Sequence, residues 1–157
     1  MNLSNSGLIY WIWLSQINGI GPVTAKNLLD TFKTPENIYK AAIDELVNIS
    51  GIGSATSNII YNSKSLAEAE DIINKCEKKS ISVLTWSDYL YPSDIKNIKK
   101  APIVLYFRGE LIEDSMGVAI IGSRRCSDYG KRLTVEVCEF LAQNHVPIIS
   151  GMAKGIC

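Results

Sequence analysis

The last third of the chain places the strongest constraint on the fold, because two apolar runs flank an amphipathic segment. Residues 117–121 (GVAII) form a continuous apolar run, as in a strand buried on both faces of a parallel sheet. Residues 131–143 have helical spacing, and residues 146–149 form a second apolar run. The pattern predicts a strand–loop–helix–strand unit with a right-handed crossover. The residues of this helix that we expect to face inward are Leu133, Val137, Phe140 and Leu141.

Each predicted strand ends in a glycine-rich loop, residues 122–130 (GSRRCSDYG) and residues 150–155 (SGMAKG). The carboxyl ends of parallel strands form one edge of a sheet, so we expect both loops to line one crevice. Glycines let backbone amides approach an anion, arginine offers a planar fork to phosphate oxygens and lysine a point charge. A tyrosine that faced the crevice would stack a base. The candidate nucleic-acid-binding residues are Gly122, Ser123, Arg124, Ser127, Tyr129, Gly130, Ser150, Gly151, Lys154 and Gly155.

Several other kinds of site are disfavoured by the same residues. Arg124 stands where the second glycine of a GxGxxG dinucleotide-binding motif belongs, and the chain has no GxxxxGK[ST] motif. The four cysteines form no CxxC pair, and His145 has no cysteine at a zinc-ligand spacing. Cys126 has no base to activate it and is interpreted as a small turn residue. We therefore predict no catalytic residue, no metal and no cofactor.

An internal repeat with an offset of 32 residues occupies the first third of the chain, where INGIGPVTAKNLL is followed by ISGIGSATSNII. Gly19 and Gly21 align with Gly51 and Gly53, and we matched the alanines Ala25 and Ala55 in the two copies. Each copy predicts helix, tight turn and helix, which resembles a tandem helix-hairpin-helix or SAM-like domain. Such hairpins either contact DNA phosphates or serve as scaffold and partner-binding surfaces. The few lysines that follow them favour the second interpretation.

The remaining segments set the expected domain organisation. Residues 65–79 predict a third helix, and residues 81–86 and 103–107 predict short strands. We therefore expect a helical domain at 1–79 and a sheet domain at 80–157. The 16 basic and 16 acidic residues balance, so a polyanion site must be local. The apolar residues 8–14 are too few to cross a bilayer, and the reduced cysteines suit a cytoplasmic protein without a membrane partner.

Four motifs, in this order, carry a resemblance to a known family. They are residues 88–92 (DYLYP), 101–109 (APIVLYFRG), 122–130 (GSRRCSDYG) and 150–156 (SGMAKGI). The chain resembles the N-terminal part of the DNA-processing protein A (DprA/Smf) family, with a SAM-like domain before a Rossmann-like domain. The resemblance implies single-stranded DNA binding, protection of incoming strands in natural transformation and loading of a RecA-type recombinase, without catalysis. It assigns DNA contact to Gly122, Ser123, Arg124, Ser150, Gly151 and Lys154.

The sequence departs from the family pattern at its end. Family members continue with Gly-Ile-Asp, whereas Cys157 stands in place of the aspartate. We expect at most four strands in the sheet region, and hence an incomplete Rossmann-like parallel sheet truncated within its domain. The homodimer that the complete family member forms is doubtful for such a chain.

Two other functions remain open from the sequence. Phosphoribohydrolases of the lysine-decarboxylase-like (LOG) group use similar loops on nucleoside monophosphates, but Asp128 is the one acid that these loops offer. A helical protein-interaction domain is the third possibility. Salt-sensitive oligonucleotide binding, release of free base, or neither, distinguishes the three.

Overall fold

The computed structural model describes residues 5–111 and 116–157, which fall into two units, Met1–Leu111 and Ile112–Cys157. The helices of the first unit are α1 (Asn5–Gln16), α2 (Pro22–Phe32), α3 (Pro35–Lys40), α4 (Ile43–Val47), α5 (Ser54–Asn62), α6 (Ala67–Lys78) and α7 (Ser93–Lys96). Its strands are β1 (Ser82–Thr85) and β2 (Val104–Phe107). The second unit contains β3 (Val118–Ala119), α8 (Asp128–Gln143) and β4 (Ile148–Ile149).

The repeat folds into two similar hairpins, which confirms the predicted tandem helix-hairpin-helix. Gly19 and Gly51 have φ of +87° and +81°, a left-handed conformation that favours glycine. Each is followed by a buried isoleucine and by an extended glycine that caps α2 or α5. The match of Ala25 with Ala55 was wrong. Ala25 corresponds in the fold to Ser57, because both are buried. The backbone N–H of each donates to the carbonyl of the glycine that caps its own helix, at 3.0 Å in both cases.

The first unit is built around α1, which contains the apolar run at residues 8–14. Trp11, Ile12, Trp13 and Leu14 are all buried, which is typical of a helix that is apolar on every side. The indole N–H of Trp13 donates to the carbonyl of Ser63 at 2.7 Å, so the buried ring keeps its polar atom satisfied. Helices α2, α3 and α6 contact α1, as does β2.

The two strands of the first unit form an antiparallel pair of their own. Val83 pairs with Tyr106 and Leu84 with Leu105. The sequence-based assignment of these strands, at 81–86 and 103–107, to one incomplete parallel sheet is wrong. In the described structure β1 and β2 form a sheet separate from that of β3 and β4. Because Ile103 and Val104 belong to the same apolar cluster as α1, this strand pair extends the core of the helical unit.

The second unit contains the expected strand–loop–helix–strand sequence. Strand β3 pairs in parallel with β4, with Val118 opposite Ile148 and Ala119 opposite Ile149. The burial expected of these elements is absent from residues 116–157, none of which is buried. Leu133 and Val137 of the predicted inward face are exposed, and Phe140 is 65% exposed. The expectation that this face is turned inward was wrong for Leu133, Val137 and Phe140, because the described residues of the second unit include no second layer to cover it.

The division between the units differs from the predicted domain boundary. We expected the sheet domain to begin at residue 80, whereas the units divide between Leu111 and Ile112. Contacts of β1 with α6 and of β2 with α1 place residues 82–107 with the helices. The assignment of 80–157 to one domain therefore remains a prediction from the sequence. None of the helices in the described residues is both long and apolar enough to span a membrane.

Candidate nucleic-acid interface

Both predicted loops leave the same edge of the β3–β4 pair. The first loop (residues 122–127) joins β3 to α8, and the second loop (residues 150–156) follows β4. The N–H of Ile120 donates to the carbonyl of Ile149 at 2.9 Å, so the parallel ladder extends to the start of both loops. The parallel register therefore places the loops side by side, as parallel strands require.

Direct backbone contact joins the two loops. The N–H of Ile156 donates to the carbonyl of Ser123 at 3.3 Å. Gly155 has φ of +114°, and a Cβ atom there would lie 2.2 Å from the Ser123 oxygen and 2.7 Å from Cα of Arg124. Only glycine fits at such a close approach, so Gly155 has a steric role in bringing the loops together.

Ile156 is a residue of this region that sequence reasoning missed. A Cβ atom on Gly122 would lie 2.6 Å from the Ile156 side chain, and one on Gly130 would lie 3.5 Å from it. Gly122 therefore makes room for the half-buried Ile156, whereas a Cβ atom on Gly130 would make only an ordinary van der Waals contact with it. The available signal was the single branched apolar residue after the second glycine-rich run.

The three predicted serines shape their own loops. The Ser123 hydroxyl accepts from the N–H of Arg125 at 3.1 Å, and that of Ser150 accepts from the N–H of Met152 at 3.1 Å. The Ser127 hydroxyl caps α8 by accepting from the N–H of Gly130 at 3.1 Å. These local bonds fix the backbone and leave the N–H groups of the loops in defined directions.

The cations of the loops are exposed to solvent. Arg124, Arg125 and Lys154 are exposed, and none of them forms an ion pair with any residue that the structure describes. Asp128, the acid at the start of α8, pairs instead with Lys131 at 3.1 Å. Residues 122–127 and 150–156 thus present three positive charges and no acidic residue, since Asp128 belongs to the first turn of α8.

The amino terminus of α8 adds donors beside the first loop. Within the described chain the N–H groups of Asp128 and Tyr129 donate to no protein acceptor, as expected of a first helical turn. The positive end of the helix dipole lies at the same place and favours an anion. The Tyr129 side chain is 67% exposed, and a Cβ atom on Gly151 would meet nothing within 4 Å.

The DYLYP motif at residues 88–92 has a structural role in the first unit. The Asp88 carboxylate accepts from the N–H of Thr85 at 2.6 Å and from its hydroxyl at 2.8 Å. The Tyr91 hydroxyl donates to the carbonyl of Pro102 at 2.6 Å, and burial raises the pKa of this phenol. The motif therefore holds the turn after β1 against the segment before β2.

No metal centre is formed by the described residues. Within 5–111 and 116–157, no three histidine, cysteine or acidic side chains lie close enough to share an ion. All four cysteines are free thiols, and burial raises the pKa of Cys76.

Two family models match different parts of the chain, one the hairpins and the other the segment that contains the loops. A family model described as DNA recombination-mediator protein A matches residues 82–157, and one described as a SAM-like helix-hairpin-helix tandem matches residues 14–63. Protein Smf of Synechocystis is 31% identical over 159 residues, covering 98% of this chain and 40% of the relative. DNA processing protein DprA of Streptococcus pneumoniae is 29% identical over 137 residues, covering 85% of this chain and 46% of the relative.

A solved structure agrees with these matches. The X-ray structure of DNA processing protein A from Streptococcus pneumoniae superposes with a TM-score of 0.61 at 27% identity, covering 99% of this chain and 52% of that one. This chain thus spans about half or less of the length of the relatives it matches. It belongs to the DNA-processing protein A (DprA/Smf) family.

Proposed function

We propose that the chain binds single-stranded DNA by its phosphates through the first and second loops. The observation that carries the proposal is the backbone contact between them, the Ile156 N–H on the Ser123 carbonyl. Because of that contact, the cations of both loops stand at one edge of the strand pair. A strand crossing this edge meets both loops at once.

The chemistry of the edge suits a phosphate chain. Arg124 and Arg125 offer planar donor forks and Lys154 a compact ammonium, all exposed to solvent. The open N–H groups at the start of α8 add neutral donors of the kind that bind phosphate at helix termini. Since these groups read charge and not base identity, binding would be independent of sequence.

Tyr129 supplies the group that selects unpaired strands. Its exposed ring lies in the first turn of α8, next to the donors just described. An unstacked base gains about 1–3 kcal/mol by stacking on such a ring, whatever its identity. A duplex has its bases already stacked and gains nothing from this contact.

The family supports a proposal for the biological setting. The matched family is described as a DNA recombination-mediator, and relatives are named DNA processing proteins. We infer a cytoplasmic binding protein without catalysis or cofactor that protects incoming strands in natural transformation and loads a RecA-type recombinase.

The test is oligonucleotide binding by Arg124→Ala and Lys154→Ala variants of the full chain. Fluorescence anisotropy with labelled single strands of several base sequences is expected to show weaker binding to all of them. Each variant should lower the salt slope by about 0.7 per lost phosphate contact. Lys40→Ala is the control, because it removes the same charge from the first unit. Lys40 there forms an ion pair with Glu36 at 2.6 Å.

Two results would contradict the proposal. One is unchanged binding in both loop variants, and the other is a loss confined to one base sequence. Release of free base from a nucleoside monophosphate by the unmodified chain would instead support a LOG-type enzyme.

A further inference from the structure

Two lysines of the first unit approach the same aromatic ring. Nζ of Lys26 lies 3.8 Å from the ring centroid of Trp86, and Nζ of Lys96 lies 5.9 Å from it. Lys96 also lies 5.5 Å from the Tyr91 ring, and the Trp86 and Tyr91 rings are 5.3 Å apart. At these distances each ammonium is attracted by the negative face of an aromatic ring.

Three separate segments build this cluster. Lys26 comes from α2, Trp86 follows β1 and Lys96 ends α7. The backbone N–H of Trp86 donates to the carbonyl of Ile103 at 2.9 Å, which fixes the start of the turn. Tyr91 is buried, and its hydroxyl donates to the carbonyl of Pro102, which fixes the other end of the turn. The lysines therefore meet at a surface whose backbone is held by the fold.

The cluster carries positive charge without an acidic partner. Neither Lys26 nor Lys96 forms an ion pair with a residue in the described ranges. The Asp88 carboxylate, two residues after Trp86, accepts hydrogen bonds from Thr85. The acid on α7 is Asp94, which is exposed. Partial burial against the ring lowers the pKa of Lys26. An ammonium already held by a ring has less conformational freedom to lose when it binds an anion.

An exposed aromatic residue lies in the same turn as Trp86 and Tyr91. Tyr89 lies in the turn between Trp86 and Tyr91, and its side chain is 82% exposed. Positive charge alone fits any polyanion, including an acidic peptide. An open aromatic ring in the same turn adds a surface that a nucleobase can stack on and a carboxylate cannot. The combination favours a single-stranded nucleic acid.

We propose that Lys26, Trp86, Tyr89 and Lys96 form a second contact for single-stranded nucleic acid, on the first unit and separate from the glycine-rich loops. The lysines bind phosphates, Trp86 positions them, and Tyr89 stacks a base. This aromatic–lysine cluster goes beyond the proposed function, because it assigns nucleic-acid contact to the helical unit without using a hairpin glycine.

The first experiment removes the charge and keeps the aliphatic stems. In the full chain, Lys26→Met with Lys96→Met is expected to weaken binding of a labelled oligothymidylate on the order of tenfold and to lower the salt slope by about 1.4. Lys78→Met with Lys79→Met is the matched control, because both lysines are exposed and the net charge changes equally. Lys26→Arg with Lys96→Arg should retain binding, and Tyr89→Ala should weaken it without changing the salt slope. Equal losses in the control pair and the cluster pair would overturn the proposal.

A second measurement separates this site from the loops. The tryptophans of the chain are Trp11, Trp13 and Trp86, and the first two are buried in the core. Oligothymidylate should therefore change tryptophan fluorescence through Trp86, and Trp86→Phe should abolish the change. The change should persist in the Arg124→Ala and Lys154→Ala variants even where total affinity falls. Binding without any Trp86 signal would overturn this site while leaving the loop proposal intact. An equal signal with polyglutamate would assign the cluster to acidic peptides and overturn the nucleic-acid assignment.

Discussion

The two units of the chain are stabilised in different ways. The first unit has a continuous apolar core in which Leu14, Leu28 and Ile38 are inaccessible to solvent. In the second unit none of residues 116–157 is buried, and its shape comes from strand hydrogen bonds, one helix cap and glycine contacts. Local hydrogen bonds therefore set the loop geometry at the proposed phosphate site, whereas the aromatic–lysine cluster depends on a packed core.

The largest expected effect contrasts one leucine from each unit. Leu14→Ala should reduce the free energy of unfolding by about 3 kcal/mol or more, because it leaves a cavity in a packed core. Leu133→Ala should cost less than about 1 kcal/mol, since that side chain is 44% exposed. Urea denaturation followed by far-ultraviolet circular dichroism measures both. Equal losses would show that α8 is covered in solution, for example by self-association.

An intermediate effect is expected at the contact between the loops. Gly155→Ala should cost about 1–3 kcal/mol, because alanine is strained at this φ and its Cβ would meet the Ser123 carbonyl. Hydrogen exchange at the Ile156 amide should accelerate as its bond to Ser123 is lost. Gly151→Ala is the matched control, as a Cβ there meets nothing within 4 Å. If both variants exchange alike, the loops are not in contact in solution.

The smallest effect compares a helix cap in each unit. Ser127→Ala removes the cap of α8 and should cost about 1 kcal/mol, visible as faster amide exchange in the first turn of α8. Thr34→Ala removes the corresponding bond to the Asn37 N–H at 3.2 Å in α3. Its first turn should change less, because Ile38 anchors α3 in the core. A larger change in α3 would contradict the view that the second unit relies more on local bonds.

Local patterns predicted most of the elements. The Gly-Ile-Gly repeats predicted both hairpins. The alternation of apolar runs with glycine-rich segments predicted β3, α8 and β4 in order. The pairing direction of β1 and β2 was not accessible, because residue composition does not specify which strand a short apolar run will join. The apolar face of α8 was identified by its period, but a period does not reveal whether another element covers it.

The candidate site divides in the same way. The glycines and cations of both loops were visible in the sequence, since the chemistry of anion binding restricts residue types. The steric role of Gly155 required coordinates, because it depends on a backbone about 30 residues away in the chain. Trp86 and Lys26 are likewise far apart in sequence, and no spacing rule relates a residue after a strand to one on a distant helix.

The contact between Gly155 and Ser123 has a consequence for the energetics of ligand capture. Because the first and second loops are joined through their main chains, ordering one also orders the other. The conformational entropy is therefore lost once for both loops. Under the proposed function, a nucleotide that immobilises the first loop would thereby order the second loop for the next phosphate. Affinity across this edge should then rise more steeply with strand length than two unconnected turns would allow.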